Sequence, residues 1–314
     1  MFTRRTMFAA AGVLPLAAAP AVKTPEVRAV VAADGSGDFK TVQRAVDHVL
    51  DTAPLPVGRV VLEIRPGIYR ERVKVPQDMP RVSLIAKDAA TTVITESMSA
   101  KSAGGTFFSP IVEVDCAGFE AENITFENSF GVGSQAVAIS VHSDQAVFRN
   151  CRFKGWQDTL YAASGRQYYR DCYIEGHVDF IFGNAAAVFD GCEIRSLGAG
   201  YIAAHRRTAP DEPTGYVFRR CRLTHAVAGP PNVLLGRPWR SCARTVFLEC
   251  WMDEHIRPEG WDNWGRAENE KTAWFGELGT TGPGAIAAAR VRWARSITEA
   301  DAEAFSPENF LSSR

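Results

Sequence analysis

A chain of 314 residues in which 46% of side chains are apolar can bury a large core, and no Pro/Gly-rich linker or break in composition divides it, so one folded domain is expected. The 35 Lys and Arg residues nearly balance 36 Asp and Glu, leaving a net charge of −1 and a pI of about 6.6. That balance excludes a general electrostatic attraction to nucleic acid or to an anionic membrane surface.

In chain order, the first feature is Thr3-Arg4-Arg5-Thr6-Met7-Phe8, followed by an Ala-rich apolar stretch and the small residues Ala17-Ala18-Ala19. This reads as an export signal over residues 1–25 of twin-arginine type, too short to span a membrane, and it implies a secreted or periplasmic protein whose mature domain is 26–314. Thr41–Leu50 carries Val42, Ala45, Val46 and Val49 on one face and predicts a short helix. Strands are predicted at Val60–Ile64, Val73–Val75, Val82–Ile85, Ile111–Val114 and Ile124–Phe126, then at Phe148–Phe153 and Phe189–Ile194, these last two short and separated by Gly, Asn and Asp. From residue 148 a frame of aromatic-x-x-Cys-x-apolar recurs five times, as Phe148/Cys151/Phe153, Tyr169/Cys172/Ile174, Phe189/Cys192/Ile194, Phe218/Cys221/Leu223 and Phe247/Cys250/Met252. Its period of 20 to 29 residues is that of a solenoid, in which stacked units share one core. With strands as units, the prediction is an all-β, right-handed parallel β-helix; a β-sandwich would need the five matches to be coincidence. The helix at Thr41 is expected to cap the N-terminal end, and Thr298-Glu299-Ala300-Asp301 to open a short helix near the other end.

Seven cysteines in an exported chain ordinarily point to disulfides, but five occupy the inward frame position and a twin-arginine route exports protein folded in a reducing compartment. Buried free thiols are therefore expected. Neither Cys-x-x-Cys nor His-x-x-x-His occurs, which leaves a zinc site unsupported, and Arg219, Arg220 and Arg222 read as a solvated face. The frame also carries two acids. Asp158 and Asp179 each lie seven residues after a frame cysteine, on consecutive repeats. Stacking would bring their carboxylates to about the 4.8 Å interstrand distance, where one holds a proton and the other stays charged. A hydrolase dyad, a calcium site and an exposed acidic ladder all remain open on that ground alone.

The strings around the acids narrow the choice. Gln157-Asp158-Thr159-Leu160 and Asp179-Phe180-Ile181-Phe182-Gly183 stand in order with Gly35-Ser36-Gly37-Asp38-Phe39-Lys40-Thr41, Gly67-Ile68-Tyr69-Arg70-Glu71, Gln135-Ala136-Val137-Ala138 and Leu235-Gly236-Arg237-Pro238-Trp239. Together they resemble the pectin methylesterases, carbohydrate esterases of plants and microbes, over roughly Val30 to Gly284. The resemblance implies hydrolysis of galacturonate C6 methyl esters in pectin. It makes Asp179 the nucleophile, Asp158 the general acid and then base, Gln135 and Gln157 the oxyanion donors, and Arg237 the partner that keeps Asp179 ionised. It places Trp239, Tyr161 and Phe182, with Trp261 as a weaker member, on the sugar-binding cleft, and it calls for no metal and no cofactor. Methyl-esterified pectin is the expected partner, and a monomer the expected state.

His177, two residues before Asp179, invites a triad reading, but no Gly-x-Ser-x-Gly elbow accompanies it. Arg240-Ser241-Cys242 departs from the residues usual after the tryptophan, and the near-neutral charge points to scattered over blockwise de-esterification. The rivals are a pectin lyase or polygalacturonase and a non-catalytic carbohydrate-binding β-helix. Relief of like-charge repulsion predicts that Asp179→Asn melts at the parent temperature or above it.

Overall fold

The computed structural model describes residues 26–52, 58–226 and 229–312, so the export signal read over 1–25 lies outside the described residues. The fold is a parallel β-helix. An eleven-stranded sheet runs along one face, and thirteen further strands form the rest of the coil wall. Within the wall, short strands such as Arg152–Lys154 and Leu160–Ala162 lie on two faces, and the long strands Tyr173–Gly183 and Glu193–His205 bend from one face to the other and join them. Among the described residues no helix is long and apolar enough to cross a membrane.

The aromatic–cysteine frame is the spine of the core. Its aromatic residues pair in register on consecutive parallel strands, Phe148 on Tyr169, Tyr169 on Phe189, Phe189 on Phe218 and Phe218 on Phe247. Their rings stack at 4.9, 4.7, 4.6 and 4.4 Å with interplanar angles of 12° or less. The cysteines reach back one coil: Cys172, Cys192, Cys221 and Cys250 each donate a thiol to the carbonyl of the preceding coil's aromatic residue, at 3.3–3.6 Å.

Phe148–Phe153 and Phe189–Ile194 are not single strands, as the sequence pattern predicted. The frame spans a corner, with strands Ala146–Arg149 and Ala186–Asp190 ending before it and Arg152–Lys154 and Glu193–His205 starting after it. The residue before each frame cysteine takes a left-handed conformation: φ is 50° at Asn150, 53° at Asp171, 66° at Gly191, 51° at Arg220 and 55° at Glu249. Turning the chain there costs no hydrogen bond, because each corner N–H donates to a carbonyl of the next coil, as in Asn150 to Arg170 at 3.0 Å and Glu249 to Leu278 at 2.8 Å. Asn, Asp and Gly suit this conformation; Arg220 and Glu249 adopt it because neighbouring coils dictate it.

The N-terminal cap forms as expected. Helix Val42–Thr52 buries Val42, Ala45, Val46 and Val49 on the same core as Val31, Val60 and Leu62. Its first N–H groups, from Val42 and Gln43, donate to the Glu71 carboxylate at 2.8 and 2.9 Å, so the Gly67–Glu71 motif serves this cap. At the other end Thr298 and Asp301 form the capping box of helix Glu299–Ala304. The segment after it brings Phe305, Phe310 and Leu311 against Val188, Val217 and Val246, the outward neighbours of the stacked phenylalanines, so this end covers the outer face of the eleven-stranded sheet.

All seven cysteines are free and buried. Burial pushes the thiols of Cys151, Cys172, Cys192 and Cys221 well above their ordinary pKa and that of Cys116 to about 11, which keeps them unreactive. Native protein is therefore expected to resist a thiol reagent, and unfolding it without reductant should release all seven groups for labelling. A disulfide found by peptide mapping would contradict the stacked-thiol core.

Candidate active site

Strand register makes Asp158 and Asp179 equivalent. Leu160 pairs with Ile181, and each aspartate stands two residues before its member of that pair, on adjacent coils. Gln135 and Gln157 pair in the same way one step earlier, Ala136 N–H donates to the Gln157 carbonyl at 3.0 Å, and Asp158 N–H donates to the Val178 carbonyl at 3.1 Å. Both aspartates adopt left-handed backbone, φ 64° and 49°, a conformation uncommon for residues with a side chain and held here by the ladder on either side. Gly183, closing the Asp179 motif, sits at φ 131° with an added Cβ only 2.0 Å from the Ala162 carbonyl, so no other residue fits there.

The pair is buried equally but held unequally. Asp158 and Asp179 are 8% and 7% exposed. Arg237 donates Nε to Asp179 Oδ1 at 2.9 Å and Nη2 to Oδ2 at 2.6 Å, a two-point ion pair. The guanidinium is itself held between the rings of Tyr201 and Trp264, each 3.9 Å from its carbon. Burial, then the Asp179 charge, raises the Asp158 pKa well above the carboxylate range, with Arg237 opposing. Burial also raises that of Asp179, but there the two hydrogen bonds and the charge of Arg237 pull it back. Asp158 accordingly holds its proton to higher pH than Asp179.

These groups open into a cleft of about 330 Å³. Gln135, Gln157, Asp158, Asp179, Phe182, Arg237 and Trp239 line it, all named from sequence. Tyr161 stands one ring behind the lining, stacked on Phe182 at 4.6 Å. Trp261 does not face the cleft: it is 2% exposed, stacks on Phe275 at 4.7 Å and belongs to the core. The tryptophan of this segment that lines the cleft is Trp264, turned outward by a tight turn in which its N–H donates to Asp262 Oδ1 at 2.6 Å. Thr106 and Phe107 join the lining from the coil before that of Gln135, and the Phe107 ring lies 5.2 Å from Tyr161 and 6.4 Å from Trp239. Sequence reading missed all three; only Asp262-Asn263-Trp264-Gly265, a turn signal that exposes its tryptophan, offered a clue. His177 packs edge-on to Trp156 at 5.5 Å and is absent from the cleft lining.

The pectinesterase family model matches residues 28–314. The chain belongs to the pectinesterase family. It is 43% identical to Pectinesterase 31 of Arabidopsis thaliana over 296 residues, covering 90% of this chain and 91% of that protein. Among solved structures, the pectin methylesterase from carrot superposes with a TM-score of 0.85 at 37% identity, covering 90% of this chain and 92% of that one. That from Erwinia chrysanthemi gives 0.78 at 26% identity, covering 91% and 97%. The parallel β-helix is thus a pectinesterase fold, and the family's activity is carboxylic ester hydrolysis.

Proposed function

We propose that the chain hydrolyses the C6 methyl esters of homogalacturonan to methanol and free galacturonate, with Asp179 as nucleophile and Asp158 as acid and then base. The observation that carries this reading is the asymmetry of the pair: two register-equivalent carboxyl groups, of which Asp179 alone has the two-point contact with Arg237. An Asp179 oxygen attacks the ester carbonyl carbon. The side-chain amides of Gln135 and Gln157 donate to the oxyanion that forms, and collapse of the tetrahedral intermediate breaks the bond to methoxide, which takes the Asp158 proton and leaves as methanol. The acyl group now sits on Asp179 and Asp158 is a carboxylate. It removes a proton from water as the water attacks the acyl carbon, the Asp179 carboxylate departs, and the proton stays on Asp158, restoring the starting state.

Phe182 and Trp239 offer flat faces to the C–H side of sugar rings, and Tyr161 supports Phe182 from behind. A lyase reading would need an arginine base; Arg237 already gives two hydrogen bonds to Asp179 between two aromatic rings, and its pKa is raised, against burial, by that carboxylate. The twin-arginine leader read from sequence over residues 1–25, which lie outside the described residues, supports action outside the cytoplasm on cell-wall pectin, and the protein acts as a monomer. The test is methanol release from highly methylated pectin by the purified mature chain, before and after exhaustive chelation. Full activity after chelation is expected, since amides and a guanidinium supply the charge stabilisation. Loss that calcium restores, or chain cleavage without methanol, would move the assignment to a lyase.

A further inference from the structure

Arg237, Arg290 and Arg207 are drawn into the interior, and the first two hold a carboxylate there: Arg237 holds Asp179 at 2.6 Å, and Arg290 holds Glu277 at 2.7 Å. Arg207 is the exception. It is 6% exposed, its Nε donates to the backbone carbonyl of Glu212 at 3.0 Å, and among the described residues no carboxylate receives its terminal nitrogens. The Glu212 carboxylate beside it is already committed to Asn184 and to the N–H groups of Thr208 and Ala209. Burial pushes the Arg207 pKa down, and the nearby acids do not make up the difference. A guanidinium in the wall of a cavity, with no carboxylate on its terminal nitrogens, is open to pairing with an anion that enters.

Arg207 lines a cavity of about 420 Å³, separate from the catalytic cleft, whose other charged lining residues are Arg244, Lys271 and Arg295. Four cations and no acid form this lining in a protein whose net charge is −1. Trp274 and Phe305, with rings 5.1 Å apart, supply aromatic surface to the same cavity. Cations that converge beside an aromatic face match an acidic sugar, which has a carboxylate to pair and a C–H face to stack. The cavity also lies behind the turn that carries Trp239. Thr272 Oγ1 donates to the Ser241 carbonyl at 2.5 Å, and Trp274 N–H donates to the Ala243 carbonyl at 2.8 Å, so the turn has the cleft at its start and this cavity at its end.

We infer that the Arg207–Arg244–Lys271–Arg295 cavity is a second binding site, for a free uronate carboxylate of de-esterified pectin. The inference rests on the proposed function only for the source of the ligand, which is the reaction's own product. A chain de-esterified in the cleft would be retained here by ion pairing, so the low net charge of the protein does not preclude blockwise action.

The experiment titrates the mature protein with trigalacturonate while following the indole N–H resonance of Trp274, assigned with Trp274→Phe. In the parent the Trp274 signal should move saturably, and added salt should weaken the effect. In Lys271→Glu/Arg295→Glu, which leaves the buried Arg207 in place, the half-point should rise at least about tenfold, with the initial rate of methanol release from short methyl-esterified oligomers unchanged. A Trp274 signal that stays still while Trp239 responds, or a half-point equal in parent and variant, would overturn the site. Inorganic phosphate moving the signal at the same concentration would overturn its assignment to a uronate. Failure of the parent to release methanol from pectin would instead remove the proposed function, and the Trp274 titration reads independently of that result.

Discussion

Asp179→Asn should remain folded and lose methanol release by at least about 10²-fold, since no other carboxylate among the cleft-lining residues is held charged by Arg237. The contact with Arg237 works against the stability gain expected from sequence. Like-charge relief is small, because Asp158 is the member that carries the proton. Arg237 matters more: its side chain is only 20% exposed and would face a neutral amide offering one acceptor oxygen in place of two anionic ones. Weakening hydrogen bonds to a buried charge costs about 1–3 kcal/mol, and in a domain of this size each kcal/mol lowers the melting temperature by about 2–4 °C. The variant should therefore melt a few degrees below the parent. A folded Asp179→Asn protein that released methanol near the parent rate would eliminate the nucleophile assignment.

Asp158→Asn should lose about 10²- to 10⁴-fold in rate, the usual worth of general acid–base catalysis, yet gain stability in a pH-dependent way. The folded-state pKa of Asp158 is raised, first by burial and then by Asp179. A group raised in this direction contributes stability that is fully present below the unfolded carboxylate pKa of about 3.9 and is lost as pH climbs through the folded value. Asn cannot ionise and escapes that loss. The melting temperature of Asp158→Asn minus that of the parent should thus grow as pH rises from about 4 and level off once the parent's Asp158 is charged. The parent's rate should fall over the same interval on its alkaline side, because the departing methoxide then finds no proton. A difference in melting temperature that is flat with pH would show that Asp158 is not the protonated member.

The two stability results depend on facts of different origin. That Asp158 and Asp179 stack was legible from seven-residue offsets within a repeating frame, because a parallel ladder converts equal offsets into equal positions. That they are unequal was only partly legible: Arg237 was identified through its motif, but the aromatic clamp of Tyr201 and Trp264 that fixes its guanidinium was not. The misplacement of Trp261 has the same root. Trp261 and Trp264 lie in one irregular segment with no period to separate an inward from an outward residue, and only the approach of Phe275 decides that the first is buried.

Whatever repeats could be read from the chain unaided: the coil, the inward phenylalanine–tyrosine and cysteine stacks, and the adjacency of the two acids and the two glutamines. Periodicity encodes these because each residue contacts its equivalent one coil away. Whatever breaks the period emerged only from the packed fold. Left-handed corners split the predicted strands, and Thr106 and Phe107 reach the cleft from an irregular segment outside the frame. Arg207 and Lys271, 64 positions apart in the chain, meet at one cavity with no acid among its lining residues. Burial and charge at such places are sums over loops of different coils, and no local pattern in the chain records them.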